Sequence, residues 1–427
     1  IGSLAMGTGA LNAANNNVAV GYGALTDLTQ GDANVAIGRD ASANLTTAAN
    51  VIALGMNAGY SYTTVSDNIA IGGSALKLIN AGSGQNVAIG SSAMLSSGTA
   101  TDNDASRNVA IGYWTLKAIT DGDDNVAVGG NAGDALTTGG SNTFLGTGAG
   151  GATTDVDDAV FIGKDAGVDG NITSAADGTI GIGRSALSVL TSGAGNLAIG
   201  YQALLTHTTG DRNIAIGYGA MNDTDAGSTS LGSGDNIFIG YDAGGGTWAD
   251  AASTHNVAIG NYSMDAVLNG ATHNTAVGYD TLTALTEADG NTVIGYQSGD
   301  AITTSAYNSL LGYQAGTALA GGSGLNVVIG YQPLYYGTSN TKVIAIGTRA
   351  GYNTTADSNV YVGSSAGREN RAGTGQVYIG SQAGYYATGS NNTFVGADAG
   401  KGGTTSAPYS SGASNTAMGA QALDAFT

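Results

Sequence analysis

Cysteine is absent from the 427 residues, which excludes disulfides, zinc–thiolate sites and a thiol nucleophile and leaves the redox compartment unspecified. Charge is scarce: 12 Lys and Arg stand against 31 Asp and Glu, a formal net charge of −19. Nucleic acid and anionic lipid therefore have no electrostatic hold on the chain, and neutral or cationic partners are expected. No apolar run approaches the roughly 18 residues that cross a bilayer, and no basic-then-apolar signal-peptide pattern opens the chain, so no membrane insertion is expected. Histidine occurs three times, no acidic cluster recurs for paired-carboxylate chemistry, and the phosphate loop GxxxxGK[ST] is missing. These gaps predict no catalytic residue, no metal and no cofactor.

What the chain has instead is glycine, 73 residues of it, set in a phrase that returns from end to end. The phrase is Asn-(Val/Ile)-Ala-(Ile/Val)-Gly, then two residues and Ala-(Leu/Gly). Its glycines commonly fall 17 residues apart, as at Gly21, Gly38, Gly55 and Gly72, with steps between 14 and 23. A short fixed period marks a solenoid whose rungs bury apolar surface only against their neighbours. Uniform repeats overrule the two or three domains that the length would suggest. Residues 1–427 are expected to form a single all-β repeat domain of about 24 rungs, stacked at about 4.8 Å into a rod roughly 110 Å long.

Within NVAIG, Val35 and Ile37 alternate with Ala36, the period of a strand with one bulky and one small face. After the glycine, Ala-Leu or Ala-Gly predicts a second short strand, so two per rung are expected. The repeats also carry a record of packing. Where the Ala position is aromatic, as at Phe144, Phe161, Phe238, Tyr361, Tyr378 and Phe394, the residue six places on is glycine; where that later residue is Leu or Met, the earlier one is usually Ala. Two side chains sharing one fixed volume behave this way, because voids and overpacking each cost about 1–3 kcal/mol. Val328 with Leu334 and Ala127 with Gly133 depart from the rule. The two positions are expected to face each other, within a rung or across a subunit interface.

The motif asparagines, among them Asn34, Asn86, Asn196, Asn213, Asn256 and Asn274, are expected to bond the turn backbone and one another as a structural ladder. An Ala-rich face on a slender roll would leave apolar surface exposed, and wrapping three rolls about an axis would bury it.

Segments such as NVAIGSSAM (Asn86 to Met94), NLAIGYQAL (Asn196 to Leu204) and NIAIGYGAM (Asn213 to Met221) resemble the head repeats of trimeric autotransporter adhesins of the YadA type. The resemblance covers practically the whole chain. Its departure is length, since those heads run nearer 14 residues per rung, and the longer rungs with Tyr after Gly resemble repeats of bacteriophage tail-fibre proteins. The resemblance implies a left-handed parallel β-roll, a homotrimer and a rod-like head that binds surfaces and catalyses nothing. It further implies an extracellular place on a virion tail fibre or cell surface, with host or surface glycans and proteins as partners. The chain opens and stops within repeats, so it is expected to be part of a longer fibre chain. The alternative is a purely structural extracellular filament growing end to end.

Candidate contact residues follow. Tyr279, Tyr296, Tyr313 and Tyr331 each succeed a motif glycine and in register would form a stripe, which either stacks on sugar rings or stabilises neighbouring rungs. Long steps place loops over Leu95 to Arg107, Asn222 to Asp235, Gly245 to His255 and Lys401 to Ser414, where solenoids often bind. Trp248 lies in one of them, as a ligand contact or as loop packing. Asp121, Asp123 and Asp124, like Asp155, Asp157 and Asp158, are Ca²⁺ oxygens or solvated turns. His255 and His273 would stack one rung apart, and turn positions normally face outward.

Overall fold

A computed structural model describes residues 5–6, 14–80, 84–97, 103–224, 232–403 and 410–424. Two compact units are distinguished, Ile1–Asn213 and Ile214–Thr427. Each is a parallel β-solenoid. In the first, eleven strands run from β1 (Val18–Val20) to β11 (Leu197–Ile199); in the second, twelve run from β12 (Ile214–Ile216) to β23 (Thr416–Met418). Within each unit every strand pairs in parallel with the next in sequence, motif on motif, as Ala19 opposite Ala36 or Phe144 opposite Phe161. Among the described residues there is no α-helix; a 3-10 turn occupies Ser174–Ala176.

Among the described residues each rung has one strand, not the expected two. The Ala-Leu segment after the glycine is a turn, because alternate residues there take positive φ: Gln202 at 57° and Leu204 at 51°, with Arg212 at 54° before the next asparagine. A leucine in the left-handed region costs roughly 1–2 kcal/mol, but burying it gains about 1.5–3 kcal/mol, so packing overrides backbone preference. The motif glycines have no such choice. Gly21 sits at φ +130°, and a Cβ there would lie 2.5 Å from the carbonyl oxygen of Gly38; Gly55 and Gly347 meet the next rung's backbone at 2.6 and 2.7 Å.

The strand alternation runs opposite to the expected exposure. Ala36, Ala198 and their counterparts are buried inside the coil, while the branched residues on either side face outward, partly or fully exposed in every strand, as Ile37 at 43% and Leu311 at 47%. The small face points inward because the narrow interior is filled from the turn. Leu25, Leu76, Leu204 and Met221 are fully buried there. Where the strand supplies the bulk, the turn supplies glycine: a Cβ on Gly150 would lie 2.6 Å from the Phe144 ring, on Gly167 2.9 Å from Phe161 and on Gly244 2.5 Å from Phe238. The reciprocal pairs thus face each other within one chain. The Ala127 and Gly133 exception has a local cause, since Phe144 of the next rung leans to within 2.7 Å of where a Gly133 Cβ would be.

Candidate functional site

The asparagine ladder is interior. Asn34, Asn86, Asn196, Asn213, Asn256 and Asn274 are all buried. Asn274 shows the pattern: its Oδ1 accepts from the Asn291 backbone N–H at 3.0 Å and from Asn291 Nδ2 at 3.1 Å, and its Nδ2 donates to the Ala288 carbonyl at 2.8 Å. The Asn86 amide likewise accepts from Asn108 N–H and donates to the Ala105 carbonyl. Buried amides so satisfied hold the corner between turn and strand. The column lapses at Val51, Ala159 and Val343, whose N–H groups donate to Asn34, Asn142 and Asn326 without passing the ladder on.

Trp248 is also interior, which corrects its reading as a ligand contact. The indole is fully buried, tilted against Phe238 with ring centroids 5.6 Å apart, and Nε1 donates to the Gly244 carbonyl at 3.1 Å. An insertion that looks polar in sequence folds its one large side chain into the coil. Of the other long loops, residues 98–102, 225–231 and 404–409 lie outside the described residues.

Tyr279, Tyr296, Tyr313 and Tyr331 form one stack, with centroids 5.6, 5.1 and 5.3 Å apart and planes within 9°. Each residue is exposed by 41–46%, but parallel neighbours cover both faces of Tyr296 and Tyr313 and one face each of Tyr279 and Tyr331. A sugar that stacks needs a ring face, so the interior of this stack stabilises neighbouring rungs. Beside it runs an amide chain: Arg349 Nε donates to Gln332, Gln332 to Gln314, Gln314 to Gln297 and Gln297 to Asp280, at 2.9–3.4 Å. The Asp280 charge raises the pKa of Tyr279. Nearby, desolvation pushes Asp265 and Asp300 up to about 6, with the Asp280 charge adding to both.

His255 and His273 stack one rung apart at 5.0 Å with planes 2° apart, and both are exposed; Asp235 approaches His255 at 3.8 Å. Among the described residues no group of three or more His, Asp or Glu is placed to hold a metal ion. The acidic turns have backbone and side-chain duties. Arg107 donates to Asp124 at 2.7 Å and to Asp123 at 3.0 Å, while Asp157 and Asp155 accept from the N–H groups of Gly140 and Ser174. No helix among the described residues is long and apolar enough to cross a membrane.

Two surfaces remain. One is the outer strand face, with two outward residues per rung; its first column turns polar at Thr143, Thr275, Thr292, Ser309, Thr393 and Thr416, and its second stays Val, Ile, Leu or Met. The other is a cluster of tyrosine and arginine that sequence reasoning missed. Tyr335 and Tyr352 stack at 5.3 Å, and Tyr336 stands perpendicular to both. Arg349 and Arg368 lie over Tyr352 at 5.6 and 5.3 Å, and Arg368 also lies over Tyr385 at 5.5 Å. Such contacts hold a guanidinium in place. Glu369 accepts from Asn353 Nδ2 at 2.7 Å and pairs with Arg371 at 3.7 Å and Arg368 at 3.8 Å. Tyr336, Asn353, Thr355 and Arg371 line a cleft of about 400 Å³. A signal existed in the sequence: between β12 and Thr341 the second unit has no Lys or Arg, then Lys342, Arg349, Arg368, Arg371 and Lys401 follow within one stretch. No family model matches the chain, and no curated protein matches it significantly.

Proposed function

We propose that the chain is a non-enzymatic structural and adhesive fibre protein: a homotrimeric, left-handed β-roll head or shaft on a virion tail fibre or cell surface, attaching to host or surface glycans or proteins. The observation that carries this reading is the outward strand face. A lone coil would leave a column of Val, Ile and Leu in water along each unit, and contiguous apolar surface of that kind marks an association site. Closed rotational symmetry covers it with copies of the same face, and three binding faces on one body multiply weak contacts.

Light scattering on the purified chain at several concentrations tests this. A stable mass near three times 41.7 kDa supports the trimer. A monomer overturns it, and open-ended polymers favour the end-to-end filament. Attachment is tested separately, by retention of the chain on glycan and protein arrays.

A further inference from the structure

We propose that the cleft between Tyr336 and Arg371 binds an acidic monosaccharide unit, a pyranose that carries a carboxylate. This names a ligand class for the adhesive reading and rests on it.

The chain is acidic overall, which argues against anionic partners, yet this part of the second unit departs from that average. From Lys342 to Lys401 the sequence has five cations and three acidic residues, Asp357, Glu369 and Asp398. Glu369 is mostly buried and lies between two arginines, so it fixes them without cancelling both charges. Arg371 remains 60% exposed at the cleft, and Thr355 Oγ1 donates to its carbonyl, tying that backbone to the neighbouring rung. A guanidinium so placed offers the planar fork that matches a carboxylate.

The opposite wall is aromatic. Tyr336 is 52% exposed and held perpendicular to the Tyr335 and Tyr352 stack. It is not layered between parallel rings as Tyr296 is, so the apolar face of a pyranose has a ring to lie against. Asn353 has committed its Nδ2 to Glu369, which aims its Oδ1 to accept from a sugar hydroxyl. The cleft volume, about 400 Å³, falls within the roughly 300–1,000 Å³ of small-molecule sites. All four lining residues come from the segments after the motif turn. None belongs to the outer strand face.

The test uses the full chain with glucuronic acid, glucose and inorganic phosphate as probes, followed by calorimetry and saturation-transfer NMR. Saturable binding of glucuronic acid, at least about tenfold tighter than glucose, is expected from one charge-assisted contact. R371Q lowers glucuronic acid affinity by about tenfold to a hundredfold and leaves the weak glucose signal unchanged. Y336A weakens both sugars while Y336F retains them, and far-UV circular dichroism checks that each variant is folded. Equal binding of acidic and neutral sugars, or an unaffected R371Q, overturns the proposal. Phosphate binding as well as glucuronic acid reduces the cleft to a generic anion site and overturns it too. Retention on other glycans or proteins without glucuronic acid binding sinks this site alone; glucuronic acid binding without surface retention sinks the adhesive reading alone.

Discussion

The rungs around Ala198 and the rungs around Tyr378 enclose the same narrow interior by opposite means. At Ala198 the strand contributes a methyl group, and the turn contributes Leu204, which holds φ at 51°. At Tyr361, Tyr378 and Phe394 the strand contributes stacked rings, Tyr378 and Phe394 lying 5.1 Å apart, and the turn contributes Gly367, Gly384 and Gly400. The left-handed strain that leucine bears is removed where glycine takes its place. Outside, these two rungs match: Leu197 and Ile199 flank Ala198 as Val377 and Ile379 flank Tyr378. The interior varies freely at fixed volume, while the outer column that follows the interior residue in each strand keeps Val, Ile, Leu or Met, which the single coil does not need. That contrast is the reason to assign the exterior to another copy.

The comparison breaks most sharply at Phe144. Phe144→Ala empties the interior of an aromatic rung and costs about 3–5 kcal/mol; adding Gly150→Leu converts it to a leucine rung and recovers most of the loss. Chemical denaturation of the two single variants and the double variant measures the coupling, and additive effects would dissolve the reciprocal pair. Next, Asn274→Ala orphans the buried N–H of Asn291 and costs about 2–3 kcal/mol, measured the same way. In the tyrosine stack, Tyr296→Ala removes two ring contacts worth about 0.5–1.5 kcal/mol each at most, read as a lowered thermal midpoint.

The smallest effect is electrostatic. Asp300 is half-buried, its Oδ1 lacks a hydrogen-bond partner, and its pKa is pushed up to about 6 by desolvation first. A folded pKa above the unfolded value of about 3.9 means that the native state holds the proton more tightly. The stabilisation is therefore complete below pH 3.9 and is lost as pH rises through 6. After discounting for solvent screening, Asp300→Asn stabilises the chain at pH 7 by roughly 1 kcal/mol and flattens the thermal midpoint between pH 4 and 7. An unchanged pH profile would show that Asp300 is solvated like an ordinary carboxylate.

The repeat, the parallel stacking, the asparagine ladder and the pairing of Phe161 with Gly167 were legible in the sequence because each is a periodic constraint on volume or hydrogen bonding. The single strand per rung was not, because leucine at positive φ is disfavoured locally and is held there by burial. Which face of NVAIG points inward was equally hidden: alternation gives two faces, and only the narrow bore decides that Ala36 is inside and Ile37 outside. Trp248 stayed open between ligand contact and loop packing for a related reason, since its polar loop conceals the interior gap beside Phe238 that the indole fills. The tyrosine stripe was legible as a stack, yet only the parallel ring planes show that the faces of its inner rings, Tyr296 and Tyr313, are covered. The Arg371 cleft draws on residues of three rungs at unequal spacing, so no fixed period marks it.

The central claim is that the outer branched face is covered by another copy, and a chain without cysteine allows a direct test by thiol labelling. Ile259→Cys places a thiol on that face, and Asp250→Cys places one on an exposed loop position. In the native assembly the account predicts that Cys at 259 reacts at least about tenfold more slowly than Cys at 250, because access of reagent to the thiolate sets the rate. Equal rates would show the outer face open to water and contradict it.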